Sequence, residues 1–244
     1  MKTKLQTGIH DLDTRLCGGL RRGQVTVTAS RPVIDKAAVA LTIASNALRR
    51  GLQVAVISNS VEVDCLERRL LSHLSGVPLS RLLSYALTEK DLTRIKRARH
   101  KLSRLIVQSP PFIFVPESIR SFGRPDLVVI EELHGYRYFE RRVPPSAILR
   151  WARSMAKKRS VPVIVCGAVG RKAEGRQDKR PRLSDLKDSK PVLQYADLVA
   201  LIYRDEIYDR STDEKGVVEL DVAQNRDDTG KTGIVKLSYS DLLF

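Results

Sequence analysis

Residues 24–50 read QVTVTASRPVIDKAAVALTIASNALRR, and this stretch decides the fold. Gln24 to Ser30 is uncharged and rich in β-branched residues, which suits a buried strand. Arg31-Pro32 ends it, because proline fixes its own φ and has no N–H to offer a ladder. From Lys36 to Arg50 the apolar residues Ala40, Leu41, Ala44 and Leu48 recur at three- and four-residue steps. That spacing puts them on one face of a helix. A strand, a turn and a helix are therefore predicted, with Lys36 where the helix begins.

The alternation continues through all 244 residues. Gln53 to Ser58 (QVAVIS), Leu127 to Ile130 (LVVI), Val161 to Cys166 (VPVIVC) and Leu198 to Tyr203 (LVALIY) read as strands, and Phe112 to Val115 as a short one. Helices are expected over Glu62 to Leu74, from Thr88 through Leu105, and over Pro145 to Lys158. Thr88 with Asp91 has the spacing of a capping box. Val217 to Val222 and Ile234 to Leu237 read as a closing antiparallel pair. Continuous apolar strands between helices predict an α/β domain with a mostly parallel sheet covered on both faces, here one domain over 1–244. Gly170 to Lys190 is a long polar stretch, and a loop of that length in a compact domain is usually functional or disordered.

Composition narrows the function. Lys and Arg total 43 against 28 Asp and Glu, a formal charge of +15. An excess of that size favours a polyanionic partner, most simply nucleic acid. The 42% hydrophobic content excludes a disordered chain. Cys17, Cys65 and Cys166 lack metal-ligand spacing and read as reduced thiols, with no metal centre expected. No apolar run approaches the ~20 residues that span a bilayer. A cytoplasmic protein with no membrane contact is expected.

A strand–turn–helix unit can hold phosphate when the turn reads G-x-x-x-x-G-K-[ST]. The glycines let N–H groups close on the ligand, the Lys neutralises it, and the hydroxyl binds Mg²⁺. Lys36 occupies the Lys position. Ser30 and Asp35 stand where the glycines belong, and Ala37 stands where the hydroxyl belongs. A carboxylate at 35 competes with phosphate for the same N–H donors, and Ala37 cannot ligate a metal. Alone, the stretch reads as an ordinary strand–helix turn.

Its surroundings alter that. Thr7-Gly8-Ile9-His10-Asp11-Leu12-Asp13, Gly18-Gly19-Leu20 and Gly23 resemble the entry to a RecA-like P-loop core. Arg176-Gln177-Asp178-Lys179-Arg180-Pro181, Ser184-Asp185-Leu186, Ala196-Asp197-Leu198-Val199 and Tyr203-Arg204-Asp205 resemble the C-terminal motor domain of replicative DnaB-type helicases. The resemblance runs from about Thr7 to Leu243, without the family's N-terminal helical domain or linker helix.

The resemblance implies roles. Ser30, Arg31, Pro32, Asp35, Lys36, Ala37 and Arg204 would form the ATP site, with Mg²⁺ doubtful. Glu131 would be the Walker B carboxylate, where the family has Asp. The catalytic glutamate's position falls on Ser60, leaving Glu132 or Glu62 as substitutes, and the polar sensor falls on Ala168. The basic pair that the family lends to a neighbouring subunit's site becomes Gln224 and Arg226. Hydrolysis is therefore expected to be weak or absent.

The family's single-stranded DNA loop would be the polar stretch, with Arg171, Arg176, Lys179, Arg180, Lys187, Asp188 and Lys190 as its contacts. Lys187-Asp188-Ser189-Lys190 stands for the family's Arg-Glu-Ser-Gly. Tyr136, Tyr138 and Phe139, interleaved with Arg137, Arg141 and Arg142, read equally as a base-stacking set or as packing. Arg94, Arg97, Lys101 and Arg104 read as a solvated helix face. The expected partners are single-stranded DNA and a replicative helicase or another replisome protein; self-association is left open. Two alternatives stand beside this reading: an active helicase with divergent motifs, and a non-enzymatic regulator of a helicase ring.

Overall fold

The computed structural model describes residues 3–58, 63–108, 123–135, 137–138, 141–227 and 230–242, and the following concerns these. The chain opens with β1 (Lys4–Leu5), α1 (His10–Arg15), β2 (Leu20–Arg21), β3 (Val25–Ser30) and α2 (Ala38–Arg49). Then come β4 (Val54–Ile57), α3 (Val63–Ser75), α4 (Leu79–Ser84), α5 (Glu89–Leu102), β5 (Leu105–Gln108) and β6 (Leu127–Ile130). A small ribbon, β7 (Arg137–Tyr138) and β8 (Arg141–Arg142), precedes α6 (Pro145–Arg159) and β9 (Val163–Ala168). The chain closes with α7 (Ser189–Tyr195), β10 (Leu198–Tyr203), β11 (Val217–Asn225) and β12 (Gly233–Ser238).

Eight strands form one sheet in the order β12-β11-β10-β3-β9-β6-β4-β5. From β10 to β5 every neighbour is parallel, and β11 and β12 add antiparallel strands at one edge. Side chains alternate between the faces, as a pleated strand requires. Val25, Val27 and Ala29 of β3 pack with Ile148, Leu149 and Ala152 of α6. Val54, Val56, Leu127, Val129 and Ile164 pack on the other face with Leu41 and Leu48 of α2 and Leu66 and Leu70 of α3. This is the RecA-like α/β fold with both faces covered. Gly19 (φ +113°) leads from α1 into β2, beside β1, where a Cβ would stand 2.2 Å from the Leu5 carbonyl, so only glycine fits.

Several boundaries differ from the sequence reading. The helix that begins at the capping box ends at Leu102, and Leu105–Gln108 is a strand. Ile106 and Val107 are β-branched, and the Val54 N–H donates to the Arg104 carbonyl (3.1 Å), which leads the chain into β5 beside β4. The β9 strand runs on to Ala168 because Ser30 pairs with it across the ladder. Residues 170–190 are not an open loop: 3₁₀ turns occupy Arg171–Gly175 and Leu183–Asp185, and α7 begins at Ser189. The capping box itself forms, with Thr88 and Asp91 exchanging hydrogen bonds at 3.2 Å. The expected strand over Phe112 to Val115 lies outside the described residues, as do Ser60, Glu62, Tyr136 and Phe139. No disulfide joins the cysteines. Among the described residues no helix is long and apolar enough to cross a membrane.

Candidate functional site: the turn after β3 and the segment over it

Parallel strands deliver their C-terminal ends to one rim of the sheet, where open α/β folds place ligands. β3 brings Ser30 there, and β6 brings Glu131 and Glu132. Ser30 is buried, and its hydroxyl donates to the Ile34 carbonyl (2.7 Å) and the Arg31 carbonyl (3.0 Å), closing the turn on itself. The Ile34 N–H bonds back to the Arg31 carbonyl at 2.9 Å. Arg31 is only 7% exposed, and its guanidinium reaches Glu174 (2.6 and 2.8 Å) and the Val169 carbonyl (2.9 Å).

Asp35 acts as the turn's own anion. Its Oδ1 accepts the Ala37 N–H at 2.9 Å, and its Oδ2 accepts from Arg69 of α3. That N–H belongs to Ala37, the N-cap of α2, which has no capping side chain of its own, so Asp35 supplies the acceptor at this helix start. Lys36 is bonded to the Glu132 carboxylate. A triphosphate with Mg²⁺ does not fit this arrangement. The N–H and the ammonium it needs already hold carboxylates, and buried Ala37 has no oxygen for a metal.

The two β6 glutamates differ in character. Glu131 is 2% exposed, and burial raises its carboxyl above the usual range against a hydrogen bond from Ser58. Its Oε2 is buried with no hydrogen-bond partner among the described residues. Burial pushes Glu132 up too, but bonds from His134 and Lys36 outweigh it and hold this carboxyl below its usual range. The His134 N–H donates to Glu132 Oε1 at 3.1 Å, and its Nε2 lies 2.8 Å from Asp188 Oδ2. Bonding to Glu132 raises the imidazole's pKa, burial opposes that, and Asp188 adds to the rise. A continuous chain thus runs Lys36–Glu132–His134–Asp188, from the β3 turn to the residue that precedes α7. Asp188 adopts a left-handed backbone (φ +56°) there.

The segment over the rim divides its predicted contacts. Arg176 grips buried Asp185 with two guanidinium nitrogens (one at 3.1 Å), and Arg180 grips Glu219 of β11 with two bonds of 2.8 Å. These arginines staple the segment to the fold. Lys179 lies over the Tyr208 ring, 5.5 Å from its centroid. Arg171, Lys187 and Lys190 are exposed, with no ion pair among the described residues. Pro32 is an exposed turn residue.

Two assigned residues stand apart from the turn. Arg204 bonds Glu206 and lies 3.8 Å over the Tyr239 ring, towards β12 and away from β3. Arg226 holds the Gln194 carbonyl (3.4 Å) and the Leu193 carbonyl at the end of α7, while Gln224 Nε2 donates to the Ala196 carbonyl (2.9 Å). Sequence reasoning missed His134, Arg69 and Glu174. Only the nearness of His134 to Glu132 was a local signal; Arg69 and Glu174 come from distant segments.

Comparison with known proteins agrees with this architecture. Residues 4–243 match the family model described as DnaB-like helicase C terminal domain. The chain is 32% identical to the replicative DNA helicase DnaC of Bacillus subtilis (strain 168) over 251 residues, covering 97% of this chain and 55% of that protein. It is 30% identical to the replicative DNA helicase DnaB of Geobacillus stearothermophilus, with the same coverage. It thus spans about half the length of these curated relatives. Among solved structures, a DnaB-like replicative helicase studied with its interactions with primase superposes with a TM-score of 0.83 at 27% identity, over 97% of this chain and 59% of that one. A solved ATPase domain gives 0.85 at 27% identity, over 97% and 88%. The chain belongs to the DnaB-like helicase C-terminal domain family.

Proposed function

We propose that this chain is a helicase-type motor domain whose nucleotide turn is occupied by its own side chains. It binds single-stranded nucleic acid, and associates with a replicative helicase ring, while hydrolysing ATP weakly or not at all. The supporting observation is the double engagement of the turn: Asp35 on the Ala37 N–H and Arg69, and Lys36 on Glu132. Removing one transition-state contact typically costs ~10² in rate. Here the metal hydroxyl is absent, the turn amide is taken, and burial raises the Glu131 carboxyl above its usual range.

Nucleic-acid contact is assigned to the exposed cations of the rim segment, Arg171, Lys187 and Lys190, with Lys179 beside Tyr208. Arg176 and Arg180 set the segment's shape instead, through Asp185 and Glu219. Such contacts read the backbone and not the sequence, so affinity falls steeply with salt. The Lys36–Glu132–His134–Asp188 chain fixes Asp188 from the turn without any nucleotide. Single-strand binding is therefore ATP-independent. Fluorescence anisotropy with a labelled oligonucleotide should give the same affinity with and without a Mg²⁺-bound ATP analogue. A change of about tenfold, ~1.4 kcal/mol, would overturn the reading.

A further inference from the structure

The α5 helix, with the two residues that follow it, carries more net positive charge than the rim segment does. Residues 89–104 hold seven Lys and Arg against Glu89 and Asp91, a net of +5. Residues 170–190 hold eight against four, a net of +4, and three of those eight are engaged with carboxylates. On α5 only Asp91, Ile95 and Ala98 are buried, so most of the helix surface faces water. Asp91, its one buried acid, is already committed to the Thr88 cap and to Arg81.

Lys90, Arg94, Arg97 and Lys101 follow at i, i+4, i+7 and i+11, which lines them up along one side of the helix. Lys90, Arg94 and Arg97 are exposed and Lys101 is half-buried. None of the four makes an ion pair among the described residues. The stripe is about 16 Å long at 1.5 Å per residue. Like charges at these spacings repel and weaken a helix. The helix nonetheless forms, with a full capping box at its start and Arg99, His100 and Lys101 in its last turn, where cations suit the dipole. A solvated face needs no such row of cations, and no carboxylate among the described residues pairs with it.

The place differs from the rim site. The α5 helix leads into β5, the outermost parallel strand, and packs on α3. The rim segment follows β9, three strands inward, about 14 Å away across the sheet alone. The two cationic regions therefore belong to different elements of the sheet.

We infer that the Lys90–Arg94–Arg97–Lys101 stripe of α5 is a second nucleic-acid contact, binding the sugar-phosphate backbone at the outer edge of the sheet. The charge complementarity carries it: phosphates follow one another every ~3.4 Å along one strand of a duplex, so the stripe spans several of them. It rests on the reading that the chain binds nucleic acid, and not on the part given to the rim segment.

The test compares the full chain carrying Lys90→Gln, Arg94→Gln and Arg97→Gln with a second variant carrying Lys187→Gln and Lys190→Gln. Binding of single-stranded and duplex oligonucleotides is followed from 50 to 200 mM salt. Three lost phosphate contacts should flatten the slope of log affinity against log salt by about two for a single strand, so the unaltered chain loses roughly 20-fold more affinity than the variant over that range. Arg94→Lys with Arg97→Lys should keep the original slope, which separates charge from side-chain shape. Unchanged affinity and slope in the α5 glutamine variant would overturn the inference, as would loss of binding to an acidic protein with nucleic-acid binding intact. If the α5 variant loses binding and the rim variant does not, the stripe stands and the rim assignment fails.

Discussion

At position 35 the sequence and the structure meet most directly. A P-loop wants glycine there because the backbone amides must stay open to an anion. Asp35 supplies the anion internally, and the same carboxylate joins α2 to α3 through Arg69. The loss of a phosphate-binding glycine was legible in the sequence, but the gain of an internal ligand was not, since Arg69 lies a full strand away along the chain. The account predicts a gain of function. Asp35→Gly with Ala37→Thr reopens the Ala37 N–H and returns the hydroxyl, so a fluorescent ATP analogue should bind the double variant at least about tenfold more tightly than the original chain. Equal affinity in both would mean that Asp35 does not close the turn. Glu131 and Glu132 show the complementary limit: they are adjacent in sequence, yet only burial and partners separate a carboxyl raised by desolvation from one lowered by Lys36 and His134.

At the scale of elements, the strands and long helices followed from periodicity, because one face of each must be apolar to be buried. The exceptions have physical causes. The β5 strand went unread, with its first residue Leu105 given to the helix, because it is only four residues long, LIVQ, too few for a pattern, and just Ser103 and Arg104 separate it from α5. The 170–190 segment read as open because its order comes from charge pairs and not from apolar spacing. Arg31–Glu174, Arg176–Asp185 and Arg180–Glu219 hold it, and none of these pairings is visible locally. A pH effect follows. The Asp185 carboxyl sits below its usual range, chiefly through the Arg176 hydrogen bond and against burial. Its contribution is present above the carboxyl's unfolded-state pKa and lost as pH falls through the lower folded value. Arg176→Gln removes that depression, so acid unfolding followed by circular dichroism should begin at a higher pH than in the unaltered chain. An unmoved acid midpoint would show that the Arg176–Asp185 pair is not what orders the segment.

For the molecule as a whole, the fold was legible from the alternation of strands and helices, and the family from short motifs spread between Thr7 and Asp205. The site was legible only as a set of departures: Ser30, Asp35, Ala37 and Gln224. What fills those departures required the fold, which brings β3, β6 and the segment before α7 to one rim. Gln224 is one instance: its amide donates to the Ala196 carbonyl, and the retained Arg226 lies on the carbonyls that end α7, placements that no spacing in the sequence indicates. The central claim is that binding surfaces persist while hydrolysis does not. Steady-state ATP turnover with single-stranded DNA, measured for this chain and for Lys36→Ala, tests it most directly. The account predicts background turnover in both; DNA-stimulated turnover that Lys36→Ala abolishes would contradict it.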